Sequence, residues 1–474
     1  MRLLTQSGFY LIGRVGPAAI GVCGIAIYTR LLDPASIGTY AILLSTSLLA
    51  SGIGFTWLRI AALRVAAGEK KLETDFTTTV GLLFVGTAIV VAVIEGVALH
   101  FYQRGFSVDL IVLAAAAAIS AAWYDLNASL LQARLKVVSW GLLNLARAVV
   151  AVTCSVVLIY AGFREEALLG GFVFGNASTL AFMKMWRPAV TGRFDAALFW
   201  RCFHFGWPQS VNAAQALIAP TFQRWTLQLI AGSGAVGIFA VSQDFSTQTI
   251  ASIVGAISLA GIPLAYREKE RGDVAALNAQ LRENAGLIFA IALPATVGFA
   301  ILSSPIAHSL FGMRFWSGAS LILTLVGVSA FAVNLRTYYF DQAFELAMET
   351  RPQAAISVIG TVLAVAATLI LVPRFAAVGA AVGGLLASIV CLVLSIVWGM
   401  RILRMPLPIR DWSRTAIATI GMGLVLVLVP KENNLLGLFF AISGGTIVYI
   451  VLSSAMRFSL LRTHFGGRFV WLQR

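Results

Sequence analysis

Five arginines of this 474-residue chain fall inside apolar stretches: Arg14, Arg59, Arg147, Arg224 and Arg336. An ionised group in hydrocarbon costs at least ~2.5–3.5 kcal/mol on insertion scales, so each requires a partner or a wet cavity. What a guanidinium offers there is a planar fork of N–H donors. That fork meets an oxyanion through paired, charge-assisted hydrogen bonds. The chemistry on offer is therefore anion capture, and no bond need be made or broken. Carboxylates accompany the arginines: Glu95, Asp125, Asp244, Asp341 and Glu345 also fall in apolar stretches. Asp125, Asp244 and Asp341 are the candidates for coupling to protons or sodium.

Each assignment has a plainer rival. Arg14 and Arg59 either face a cavity or snorkel to the near surface. Arg224 either contacts a ligand or pairs with Asp244, and Arg336 either contacts a ligand or pairs with Asp341 or Glu345. The carboxylates equally suit ion pairs and helix ends. Tyr124, Trp123, Tyr338, Tyr339 and Gln342 offer stacking and hydrogen bonds to sugars, or are interfacial and core residues. No other chemistry is legible. Cys23, Cys154, Cys202 and Cys391 have no paired spacing and read as small apolar fillers. His100, His204, His308 and His464 are scattered. No nucleophile elbow and no phosphate-binding loop occurs, so no metal, cofactor or ATP-driven step is expected.

The elements that must position these groups are membrane helices. Charged residues are 11% and hydrophobic residues 59% of the chain, with a mean hydropathy of +0.89. A soluble domain carries about 25% charged residues. Apolar runs near 20 residues are what a helix needs to cross roughly 30 Å of hydrocarbon, where every backbone amide must bond within its own segment. Fourteen spans are expected, at about 9–31, 38–63, 77–99, 108–132, 139–162, 166–186, 203–230, 236–265, 282–304, 317–346, 352–373, 378–402, 413–430 and 435–455. Pro17, Pro208, Pro220, Pro263 and Pro294 predict kinks or local unwinding. The first span is too long for a cleavable signal peptide and is expected to stay as a helix.

Lys and Arg crowd alternate gaps, as in Arg64, Lys70 and Lys71, then Arg267, Lys269 and Arg271, then Arg401, Arg404 and Arg410. The opposite gaps hold only Arg30, Arg104, Arg164, Arg314, Arg374 and Lys431. The positive-inside rule then places both termini in the cytoplasm, and the alternation favours an even number of spans. The net charge of +14 is spread over juxtamembrane gaps, with no basic stripe that suits nucleic acid. The longest gaps, about 187–202 and 266–281, are too short to fold as domains. That argues for moving a substrate rather than transforming it, so no enzyme is expected.

A faint internal repeat is visible. Ile37-Gly38-x-Tyr40-Ala41 aligns with Val236-Gly237-x-Phe239-Ala240, and Gly171-x-x-x-Gly175 aligns with Gly379-x-x-x-Gly383. These echoes sit in the second and eighth, then the sixth and twelfth spans. Six spans per half makes the halves parallel. The expected organisation is a six-helix lobe over 1–190, a second over 200–404, and an extra helix pair with a tail over 410–474.

Arg14 and Gly16-Pro17, then Tyr28-Thr29-Arg30-Leu31-Leu32-Asp33-Pro34, Ile37-Gly38-x-Tyr40 and Trp57-Leu58-Arg59 resemble the opening of the polysaccharide transporter family. That family lies within the multidrug/oligosaccharidyl-lipid/polysaccharide exporter superfamily. The fine motif covers about residues 10–64, while the span number extends the likeness over the chain. The resemblance implies two six-helix lobes, alternating access, and a polyprenyl-diphosphate-linked oligosaccharide as substrate. It also implies a bacterial cytoplasmic membrane, and glycan polymerase or glycosyltransferase partners. Many members have twelve spans, so the last pair departs from the pattern. A drug exporter of the same superfamily, a membrane glycan polymerase and a non-transporting scaffold are the competing readings.

Overall fold

The computed structural model describes residues 2–68, 74–102, 106–133, 136–178, 192–429 and 433–456. Among these residues the secondary structure is helical, with no strand. The helices are α1 (Arg2–Leu31), α2 (Pro34–Gly68), α3 (Thr74–Tyr102), α4 (Val108–Ala133), α5 (Val137–Tyr160), α6 (Glu165–Ala177), α7 (Ala196–Ser246) and α8 (Ser252–Glu270). There follow α9 (Val274–Ile301), α10 (Ser303–Leu310), α11 (Trp316–Leu335), α12 (Gln342–Leu346), α13 (Thr350–Ile402), α14 (Ile409–Leu428) and α15 (Leu435–Ala455).

Among the described residues ten helices are long and apolar enough to cross a membrane, and Val15–Leu31 is a shorter apolar stretch. The chain is an all-α, multi-pass membrane protein. Two of its longest helices are each two segments joined at a sharp bend. Gly232 (φ 80°, ψ 171°) breaks α7, and Ala376 (φ 46°, ψ −127°) breaks α13. With those divisions the helices agree roughly with the fourteen expected spans.

The helical run continues through the prolines. Pro17, Pro263 and Pro294 lie inside α1, α8 and α9, and Pro208 and Pro220 inside α7, with no break at any of them. A proline removes one backbone donor and crowds one carbonyl. Reversing the chain requires a residue outside helical φ/ψ, and that falls to Gly232 and Ala376. One-turn π segments at Thr247–Ala251 and Arg336–Phe340 provide further irregularity.

The chain divides into two compact units. The first is Met1–Gly24 with Leu31–Gly237, and the second is Ile25–Arg30 with Ile238–Arg474. In the first, Asp33 caps α2: its Oδ1 accepts from the Ser36 amide at 3.1 Å, with Pro34 as the first helical residue. α6 lies tightly on α5 through the small pair found in the sequence. A β-carbon on Gly171 would meet Ala151 O at 2.6 Å, and one on Gly175 would meet Arg147 O at 2.8 Å. The start of α2 also meets the second segment of α7 reciprocally. A β-carbon on Gly38 would strike the Ser233 carbonyl, and one on Gly237 would strike the Pro34 carbonyl. These are the residues that the internal repeat aligns.

In the second unit, Gly379 packs on Leu371 and Gly383 on Ala367, so the two segments of α13 contact each other as α5 and α6 do. The closing pair α14–α15 is seated on α9. Trp412 stacks on Phe289 with centroids 4.8 Å apart, and its Nε1 donates to Ala285 O at 3.3 Å. Tyr449 Oη donates to Ala290 O at 2.6 Å.

Candidate functional site: two guanidinia around one carboxylate

On α2, Leu48, Gly52, Phe55 and Arg59 recur at helical spacing and share one face, flanked by Ser51 and Thr56. These six residues, with Ala122 and Asp125 of α4 and Leu217 of α7, line a cavity of about 260 Å3 in the first unit. A β-carbon on Gly52 would lie 2.9 Å from Leu217 Cδ1, a contact that a shift of the Leu217 side chain would relieve. Asp125 is accessible to this cavity, while its neighbour Tyr124 is buried at 4% exposure. Successive residues of a helix point about 100° apart, so α4 offers a carboxylate to the cavity and a ring to α5.

Arg147 of α5 completes the group. Its guanidinium carbon sits 4.3 Å above the centre of the Tyr124 ring and 5.9 Å from that of Phe172 on α6. Tyr124 is fixed in turn: its Oη donates to Asn144 Oδ1 at 2.6 Å, and Asn144 Nδ2 donates to Trp140 O at 2.8 Å. Asp125 lies within electrostatic reach of both Arg59 and Arg147. One carboxylate thus lies within electrostatic reach of two half-buried guanidinia, with Arg59 and Asp125 lining the cavity and Arg147 lying over the Tyr124 ring beside it.

The other candidates lie elsewhere. The side chain of Arg14 is outside the described residues. Arg224 on α7 is buried at 8% exposure, with Nη1 donating to Ala41 O at 3.3 Å. Asp244 is half-buried on the second segment of α7, within the second unit. Arg336 is ion-paired: its Nε donates to Asp341 Oδ2 at 3.0 Å and its Nη2 to Ser357 Oγ at 3.2 Å. Asp341 also accepts from Ser395 Oγ at 2.6 Å and is only 2% exposed. Glu345 accepts from Tyr266 Oη at 3.0 Å. Ser51 and Thr56 were not singled out from the sequence. The position of Thr56 about one turn, and of Ser51 about two turns, before Arg59 on the same helix is the signal that finds them. Among the described residues, no group of three His, Cys, Asp or Glu side chains is arranged to hold a metal.

Comparison with solved structures places the fold in a known class. The chain is similar to the lipid II flippase MurJ in its inward closed conformation, with a TM-score of 0.76 and 13% identity over 98% of this chain and 100% of that one. It is also similar to an inward-facing multidrug resistance MATE family transporter of the MOP superfamily. There the TM-score is 0.64 and the identity 16%, over 81% of this chain and 94% of that one. A MOP superfamily transporter from Pyrococcus furiosus, described as having a binding pocket of reversed polarity, gives a TM-score of 0.57 at 16% identity, over 84% and 95%. No curated protein matches in sequence. The family model described as polysaccharide biosynthesis protein matches residues 27–321, more than half of the chain, and the chain belongs to that family.

Proposed function

We propose that this protein is a flippase that moves a polyprenyl-diphosphate-linked oligosaccharide from the cytoplasmic to the outer leaflet by alternating access, for surface polysaccharide biosynthesis. The observation that carries the reading is a cavity within membrane helices lined by Arg59 and Asp125, with Arg147 within electrostatic reach of the same carboxylate. A diphosphate entering hydrocarbon gives up its hydration, and two guanidinium forks replace those hydrogen bonds. A volume of about 260 Å3 is small beside ligand sites of roughly 300–1,000 Å3. It suits the charged headgroup, with the sugars and the lipid tail outside it.

The family match and the fold shared with a lipid II flippase support this reading. In it the chain works without covalent chemistry in a bacterial cytoplasmic membrane, with both termini cytoplasmic. Lobes of 1–190 and 200–404 carry the transport cycle, and 410–474 is the added pair. Glycan polymerases or glycosyltransferases are the expected partners. Arg14, Arg224 and Arg336 are secondary candidates for headgroup contact, and Asp244 and Asp341 for coupling.

The test is transport of a fluorescent lipid-diphosphate oligosaccharide in proteoliposomes. A hydrogen bond to a charged group contributes about 1.5–3 kcal/mol. Arg59→Ala and Arg147→Ala should therefore each slow transport by roughly 10- to 150-fold at 1.4 kcal/mol per decade. Parental rates in both folded variants would remove the site. A parent that expels cationic drugs and moves no lipid-linked glycan would replace the reading with that of a drug exporter.

A further inference from the structure

Glu95 of α3 is a buried carboxyl group outside the candidate site. It is 2% exposed, and Leu43 and Leu99 in its surroundings are equally buried. Its Oε1 lies 2.7 Å from Ser47 Oγ of α2, and its Oε2 is buried with no hydrogen-bond partner. The titratable and charged groups on the elements around it are Tyr40, Arg59 and Arg64 of α2, Asp109, Tyr124 and Asp125 of α4, and Glu165 and Glu166 of α6. α3 itself adds Asp75, His100 and Tyr102. Ser47 is the side chain that acts on Glu95.

The hydrogens around Ser47 can be counted. Its Oγ is within hydrogen-bond distance of three oxygens: Leu43 O at 2.9 Å, Ala114 O at 2.9 Å and Glu95 Oε1 at 2.7 Å. A hydroxyl has one proton, and both carbonyls only accept. Were Glu95 ionised, that one proton would be drawn to the carboxylate. The Leu43 and Ala114 carbonyls would then both face the hydroxyl oxygen with no hydrogen between. The remaining charge would rest on Oε2, which is buried and has no protein donor. An isolated ionised carboxylate in apolar surroundings is the costliest way to bury a polar group. With a proton on Oε1 one more of these contacts carries a hydrogen: Glu95 donates to Ser47 Oγ, Ser47 donates to one of the two backbone carbonyls, and Oε2 is an uncharged carbonyl oxygen.

We propose that Glu95 and Ser47 form a proton-binding site in the α2–α3–α4 packing of the first unit, occupied in this conformation. Ionising Glu95 requires this packing to loosen enough to admit water, so proton release and helix separation are linked. The ligand is a proton rather than a metal cation, because Ser47 Oγ sits at hydrogen-bond distance from each oxygen that would otherwise ligate the ion. The site's occupancy stands on this geometry. Its role in transport rests on the flippase reading.

The experiment uses the full chain in lipid. Difference infrared spectroscopy of the parent against Glu95→Gln should show the carbonyl stretch of a protonated carboxylic acid at neutral pH, absent from the variant. In Ser47→Ala that band should move to the position of a carboxylic acid without a hydrogen bond. A difference spectrum carrying carboxylate bands instead overturns the site. Should Glu95→Gln not fold, the shift in Ser47→Ala decides alone, and an unshifted spectrum overturns the proposal. In proteoliposomes an imposed pH gradient should change the parent's transport rate several-fold and leave that of Glu95→Gln unchanged. A variant that responds like the parent overturns the coupling. A parent that moves no lipid-linked glycan overturns the function and leaves the infrared result standing.

Discussion

Arg147 spans two kinds of recognition, since its guanidinium lies over the Tyr124 ring while its charge reaches Asp125. A cation over a desolvated ring gains about 0.5–2 kcal/mol. Tyr124→Leu should therefore weaken binding of a lipid-diphosphate by roughly 2- to 30-fold, read by titration in detergent, whereas Tyr124→Phe keeps the ring and most of the affinity. The Arg336–Asp341 pair answers to a different measurement. Removing one partner of a buried pair costs about 3–5 kcal/mol, while replacing both with apolar residues costs much less. Asp341→Asn should accordingly lower the thermal midpoint more than Arg336→Met combined with Asp341→Leu. At this scale the sequence displays Arg59, Arg147 and Asp125 as charges misplaced in hydrocarbon, which is why they are legible. It displays Glu95 equally well, yet the isolation of that group depends on what α2 and α4 turn toward it. Spacing along one helix carries no such information.

The helices show the same division between what is local and what is not. Asp33-Pro34 is an N-cap followed by a first-turn proline, and it starts α2 where the sequence places it. Asp33→Ala should cost about 0.5–2 kcal/mol of stability. Burial pushes the Asp33 carboxyl up from its ordinary 3.8. Hydrogen bonds from the Ser36 side chain and backbone, with the Arg164 guanidinium at 3.1 Å, outweigh that and hold it below. A depressed folded value means that the stabilisation is present above the ordinary value and is lost as pH falls through the lower one. Asp33→Asn should flatten the acid limb of a stability profile, and Arg164→Ala should shrink it. The bends were less legible. Gly232 is one of 43 glycines, and Ala376 is a residue type that rarely adopts positive φ. Ala376 is held there by packing such as that of Gly379 on Leu371, which no local pattern reveals. Strain at such a position is of order 1–3 kcal/mol, so Ala376→Gly should raise the thermal midpoint.

For the whole molecule, sidedness follows from where Lys and Arg gather. In a background without the native cysteines, Glu270→Cys should react with an impermeant thiol reagent only from the cytoplasmic side. Phe163→Cys, in the exposed turn between α5 and α6, should react only from outside. Reversed labelling would invert the topology and with it the loading side of the site. The internal repeat was faint in sequence because glycines recur by chance. The contacts distinguish it: Gly38 with Ser233 and Gly237 with Pro34 are one interaction made twice.

Asp125 has a last consequence. Because Asp125 lies within electrostatic reach of both guanidinia, the wall of the cavity carries a counter-charge of its own. A monovalent anion such as chloride offers those arginines little that they lack. In the proposed function an incoming group gains by engaging both forks and displacing the carboxylate, and ligands with two linked phosphates should then bind more tightly than those with one. Discrimination of this kind is a competition inside the wall of the cavity, decided by how many oxyanions a ligand presents together.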